Sequence, residues 1–265
     1  MDTINQQSVE DLLGGAQADG VLSNQSMSSL IVSDIGQQIA AGLGVSVNNI
    51  SSPEVVLVSI LADDSSSIYH GNNVQNIIDG HNMLLTALRG STQGDSVLIH
   101  TKYLNGTILY PYVQLDQAIE MDTNNYHPDG GTPLYDQIAV MAGTAIAKVQ
   151  DFVNNGIQAK SIFLTCSDGS DQHSRRYRSP ESLNQMITDM IAQENFIVAG
   201  MGISDGHTDF TDIFSRMGIP SQWILTSAND AHSLRQAWNL VSRSTLRISQ
   251  SSAAFSSGSL GGFEL

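Results

Sequence analysis

Three features of this sequence predict an α/β fold: a doubly wound, mostly parallel central sheet with one antiparallel edge strand and helices on both faces. Apolar, β-branched runs of strand length recur at 55–62, 160–169 and 196–203, and they are too continuous for strands with one wet face. Segments with helical spacing of apolar residues alternate with them. One pair of runs, 95–104 and 106–115, meets directly at Asn105-Gly106, the signal of a hairpin and so of an antiparallel edge.

The elements follow in order. Residues 1–53 are rich in Gln, Ser, Asn and Gly and carry no basic or aromatic side chain. Ile31, Ile35, Ile39 and Leu43 keep near-helical spacing there, so one or two short helices are expected to dock on the main domain. The strand at 55–62 is followed by a helical stripe of Val74, Ile77, Ile78, Met83, Leu84, Leu85 and Leu88, with Gly90 to end it. Beyond the hairpin, 132–156 reads as a helix with Thr132 as cap, Pro133 at its first position and a closing Gly156. A buried strand at 160–169, a helix at 180–194, a strand at 196–203, a helix near 208–217, a strand at 221–227 and a helix at 230–243 complete the pattern. The expected organisation is an N-terminal extension (1–53), a main domain (54–245) and a Ser/Gly-rich flexible tail (246–265).

Composition bounds the function. The chain has 265 residues and a formal net charge of −15, with no Lys or Arg before Arg89. Nucleic acid and anionic membranes need a basic face, so neither is an expected partner. The start, MDTINQQSVEDLL, has no basic region followed by an apolar one, so no signal peptide is expected. No apolar run reaches the length of a membrane span. The single cysteine, Cys166, forbids an internal disulfide and reads as a small core residue, which fits a cytoplasmic location. Oligomeric state is not legible.

In doubly wound sheets, ligands gather at the carboxyl ends of the strands, near the switch point. Three segments fall there. Asp63-Asp64-Ser65-Ser66-Ser67 follows the first strand, Thr132 lies in the loop before a helix, and Asp168 follows the strand at 160–169. Together Asp63, Ser65, Ser67, Thr132 and Asp168 offer a metal two carboxylates and three hydroxyls. An all-oxygen set selects Mg²⁺, Mn²⁺ or Ca²⁺ over zinc or copper. Two carboxylates balance the ion and leave it electrophilic toward an outside anionic oxygen, such as a Glu or Asp of a partner protein. Taken alone, the Asp/Ser cluster also reads as a helix cap, a role compatible with ligation.

The D-x-S-x-S pattern at Asp63–Ser67, the Thr in GGTPL and the SDG at 167–169 resemble the metal-ion-dependent adhesion site (MIDAS) of a von Willebrand factor A (vWA) domain. The order of helices and strands over about 54–243 agrees with that family. The resemblance implies that Ser65 and Ser67 ligate directly, that Thr132 does so directly or through water, and that Asp63 and Asp168 act through water. It implies a non-enzymatic, metal-dependent protein-interaction module, and an intracellular stress-response or ATPase-associated setting. It also implies that the helix at 230–243, with Leu234, Ala237, Trp238 and Val241 facing inward, couples to the metal loop. Asp64 and the CSDG spelling depart from the family's usual residues.

Two alternatives are a Mg²⁺-dependent phosphoester hydrolase and an assembly subunit whose site is filled by a neighbouring protomer. The first finds little support, because DDSSS lacks a second Asp two positions after Asp63 and no P-loop is present. His127 and His173 read as rim residues, Asp136 and Asp171 as capping or solvated groups, and Arg175, Arg176 and Arg178 as a loop able to favour an acidic partner. Glu264 in the tail is an acidic side chain of the kind that could reach a neighbouring copy's site.

Overall fold

The computed structural model describes residues 6–91, 94–250 and 261–263. Glu264 and most of the Ser/Gly-rich tail lie outside the described residues. The chain opens with three helices, α1 (Gln6–Ala18), α2 (Asn24–Leu30) and α3 (Ser33–Gly42). Strand β1 (Glu54–Ala62) leads through the short α4 (Ser66–His70) into α5 (Val74–Arg89). The hairpin β2 (Val97–Tyr103) and β3 (Ile108–Gln114) follows, then α6 (Leu134–Asn154) and β4 (Gln158–Ser167). The remainder is α7 (Glu181–Ile191), β5 (Phe196–Ile203), α8 (Phe210–Arg216), β6 (Ile224–Ser227) and α9 (Ala231–Ser249).

The six strands form one sheet in the order β3-β2-β1-β4-β5-β6. All neighbours are parallel except β2 and β3. The hairpin turn uses Gly106 at φ 96°, and Asn105 Oδ1 accepts the Thr107 N–H at 2.7 Å. Strand β1 pairs with β2 on one side and β4 on the other. Successive connections leave β1 in opposite directions, so its carboxyl end and that of β4 bracket the switch point. Every residue of β1 after Glu54 is buried, as are all of β2 and β5, which accounts for the unbroken apolar spelling of these strands.

The N-terminal helices share the main hydrophobic core. Val9, Leu13, Leu30 and Ile39 belong to the same buried cluster as the sheet residues. Helix α2 is fastened to α7 by Asp189, whose carboxylate accepts the Ser23 N–H at 2.9 Å and the hydroxyls of Ser23 and Ser26 at 2.7 and 2.5 Å. Ile31 leaves the apolar stripe expected of it. It is 42 % exposed, because the chain breaks between α2 and α3 at Ile31-Val32, and the stripe resumes at Ile35, Ile39 and Leu43.

Other boundaries differ from expectation too; β6, expected from 221, begins at Ile224 after a 3-10 turn at Ser221–Trp223. Strand β4 ends at Ser167, because the next N–H, that of Asp168, turns toward the Asp63 carboxylate at 3.4 Å. Helix α9 runs on to Ser249, since Ile248 continues its buried face. Gly262 and Phe263 dock near its last turns. Arg247 Nη2 donates to Gly262 O at 2.7 Å, and Phe263 stacks edge-on against Trp223. Among the described residues no single helix is long and apolar enough to cross a membrane.

Candidate metal centre

The site begins with Asp63, the first residue past β1. Its N–H still reaches Cys166 O across the ladder at 3.0 Å, so the strand pair sets its backbone. Oδ1 accepts the Ser65 N–H at 2.8 Å, a tight turn that folds the side chain back over its own loop. Oδ2 accepts the Ser167 hydroxyl at 2.5 Å. Tyr126 donates its phenol to the Asp63 carbonyl from beneath.

This turn sends Ser65 and Ser67 to one side. Their hydroxyls stand 2.8 Å apart, and Ser67 Oγ donates to Asp168 Oδ1 at 2.5 Å. Ser65 occupies the cap position of α4, yet its hydroxyl makes no capping bond. Asp63, Ser65, Ser67 and Asp168 are thus one connected cluster. Thr132 lies beside them. A Cβ added to Gly169 would sit 3.6 Å from Ser67 Oγ and 4.0 Å from Thr132 Oγ1, so the absence of a side chain at Gly169 leaves open the space that both hydroxyls border. Asp63 and Ser65 are fully buried, Asp168 and Thr132 nearly so, and Ser67 is exposed at the mouth.

Thr132 is not the helix cap that the sequence suggests. Pro133 takes the cap position of α6. The first amides of α6 are satisfied from the loop after β4: Tyr135 N–H by Asp171 Oδ1 at 3.1 Å and Asp136 N–H by Ser174 Oγ at 2.9 Å. Asp136 returns the contact by accepting the backbone N–H groups of Arg175, Arg176 and Tyr177. Asp136 and Asp171 are therefore loop clamps. Released from capping, Thr132 gives its own N–H to His173 Nδ1 at 3.0 Å. His173 lies so close over Gly131 that a Cβ there would come within 2.3 Å of its ring. Among the described residues His127 bonds within its own exposed turn, to Asn124 O.

Among the described residues no basic side chain balances the site's carboxylates. Burial raises the pKa of Asp63 against the pull of its hydrogen bonds from Ser167 and Ser65. Burial also raises Asp168 to about 6 and Asp64 to about 7, with the Asp63 charge adding to both. Asp64 points away: Oδ1 accepts the Asn105 N–H at 2.9 Å, while Oδ2 is buried with no hydrogen-bond partner among the described residues. Among the described residues none of the three carboxylates has an ion-pair partner. Nor do three or more His, Cys, Asp or Glu side chains converge anywhere among them, so the donor set is two carboxylates plus hydroxyls. Such a set fits a hard divalent cation. Cys166 is fully buried with its thiol pushed well above the usual range, first by burial and then by Asp63 and Asp168, and it is not part of the set.

Sequence reasoning missed Ser167, which anchors Asp63, and His173, which anchors Thr132. Ser167 stands beside Asp168 in the CSDG spelling; nothing in the sequence pairs His173 with Thr132.

No protein-family model matches the chain, and no curated protein matches it by sequence. Solved structures match it by fold. The pilus adhesin SpaC from Lactobacillus rhamnosus GG in its open conformation is 11% identical, over 74% of this chain and 30% of that one, with a TM-score of 0.52. The VWA domain of SpRpn10 is 10% identical over 70% and 94%, with a TM-score of 0.49. Proximal thread matrix protein 1 from the mussel byssus, solved with a zinc occupied MIDAS motif, is 17% identical over 73% and 46%, with a TM-score of 0.46. The chain spans less than half the length of SpaC and of the byssus protein. At these identities the likeness concerns architecture alone, a six-stranded, mostly parallel sheet with one antiparallel edge.

Proposed function

We propose that this chain is a divalent-metal-dependent protein-interaction module, in which an ion held by Asp63, Ser65, Ser67, Thr132 and Asp168 receives a Glu or Asp side chain of a partner protein. One observation carries the reading: two buried carboxylates, without an ion pair among the described residues, converge with two serine hydroxyls at the switch point, and Thr132 borders the same space. When bound, the ion supplies the missing positive charge and an open position for an anionic oxygen. The chain's own residues prepare for this. Ser167 and the Ser65 N–H fix Asp63, His173 fixes the Thr132 backbone, and exposed Ser67 marks the mouth. Mg²⁺ is the first expected ion, with Mn²⁺ and Ca²⁺ as substitutes. The role is binding without catalysis, in the cytoplasm, within a stress-response or ATPase-associated assembly.

Thermal unfolding tests the site directly, because a ligand that binds only the folded chain raises its stability by mass action. Millimolar Mg²⁺ or Mn²⁺ is expected to raise the unfolding temperature of the EDTA-treated protein, and Ser65→Ala/Ser67→Ala is expected to abolish the shift. An equal shift in both proteins would place the ion elsewhere and defeat the reading.

A further inference from the structure

The metal loops follow the carboxyl ends of β1 and β4, whereas Trp223 precedes the first residue of β6, which runs parallel to β5, β4 and β1. Trp223 therefore stands at the opposite end of the sheet from Asp63 and Asp168. Gly261–Phe263 lie against the body there. The Phe263 N–H donates to Gln222 O at 2.8 Å, and Arg247 Nη2, near the end of α9, donates to Gly262 O at 2.7 Å. The Phe263 ring meets the Trp223 indole edge-on, with centroids 5.5 Å apart. Gly262 is buried, and Phe263 is half-buried against the core. Main-chain hydrogen bonds with one side chain received by a pocket are the means by which proteins recognise extended peptides.

The fit is selective in two ways. Gly261 and Gly262 stand at φ 73° and 85°, in the left-handed region that glycine enters at little cost and other residues rarely enter. A Cβ on Gly262 would also come within 2.4 Å of Gln222 O, a backbone atom that cannot swing aside as a side chain would. The aromatic residue follows directly. The stretch that joins this segment to α9, 251–260, lies outside the described residues, so the contacts of Gly262 and Phe263 are what hold the segment in its place.

We propose that Gln222, Trp223 and Arg247 form a metal-independent peptide site that selects a Gly-Gly-aromatic segment, and that the chain closes this site with its own Gly261–Phe263. The closed site ties the last turns of α9 to the start of β6. A short connection supplies an effective concentration on the order of millimolar, so a free segment of the same spelling enters readily only when the chain's own is disabled. The site lies apart from the metal centre and does not depend on it.

The probe is the peptide LGGFEL, the spelling of 260–265. It is titrated to millimolar concentration into the isotope-labelled full chain carrying Phe263→Ala, and NMR follows the backbone amides of Gln222, Trp223 and Arg247. Saturable shifts at these amides are expected, equal in Mg²⁺ and in EDTA. The wild type, whose own segment competes, is expected to bind the peptide about tenfold more weakly. The same peptide with Ala in place of its second Gly is expected to lose at least about tenfold in affinity, because its methyl overlaps a fixed carbonyl. The full chain carrying Gly262→Ala is a second open form and is expected to bind LGGFEL as Phe263→Ala does. No saturable binding to either variant overturns the proposal. So does equal binding by the wild type and the variants, equal binding of the Ala-containing peptide, or a set of shifts centred on the metal loops.

Discussion

Ser167 carries as much of the site as its ligands do. Its hydroxyl holds the one Asp63 oxygen that the Ser65 N–H does not. Groups that orient a metal ligand are commonly worth 10- to 100-fold in affinity. Ser167→Ala is therefore expected to fold but to need on the order of tenfold more Mg²⁺ for the same thermal shift. Unchanged Mg²⁺ dependence would reduce Ser167 to a strand residue. Tyr126→Phe removes the phenol that supports the Asp63 carbonyl and should cost about 1 to 2 kcal/mol in urea unfolding. The sequence could propose Asp63, Ser65, Ser67 and Asp168 because they follow apolar runs, and Thr132 because it precedes a helical one. Their supports were not legible, because a bond such as Thr132 to His173 joins loops 41 residues apart, and only the folded sheet brings those loops together.

Helices and strands were legible to within a few residues wherever an apolar face has a single period. Legibility failed where tertiary contacts do the work of local signals. Thr132-Pro133 spells a helix start, yet the caps of α6 come from Asp171 and Ser174 on another loop. The break after Leu30 has no Gly or Pro to announce it. The packing of α5 on α9 shows how one position decides an interface. Gly80 faces Trp238 so closely that a Cβ would meet its indole at 2.2 Å. Gly80→Ala gains about 1 kcal/mol in helix propensity but must push a fully buried Trp aside, at a cost of about 1 to 3 kcal/mol. Net destabilisation is expected, read as a lower urea midpoint. A midpoint that rises would show that the interface yields freely.

At the scale of the molecule, the core contains two neutral histidines. Burial lowers the pKa of both His81 and His100 to about 4, with Arg89 and Lys102 respectively adding to the effect. Unfolded histidine takes up a proton below about 6.5, whereas the folded rings do not until about 4. Their contribution is therefore present above pH 6.5 and is lost as the pH falls toward 4, on the order of 3 kcal/mol for each ring. Asp64 and Asp168, raised to about 7 and about 6, pull the other way over the same fall in pH, so the rings are read one at a time: NMR should show both His81 and His100 unprotonated at about pH 5, and a ring charged there would remove its contribution. The N-terminal layer over this core has a chemical consequence. The chain has three lysines. Lys160 pairs with Glu54, while Lys102 and Lys148 are fully buried against Gln38 and the Val45 carbonyl of the N-terminal segment. An acylating reagent thus meets two side-chain amines only when that segment lifts, so the rate at which Lys102 and Lys148 are modified is a clock for its opening, readable peptide by peptide in a mass spectrometer.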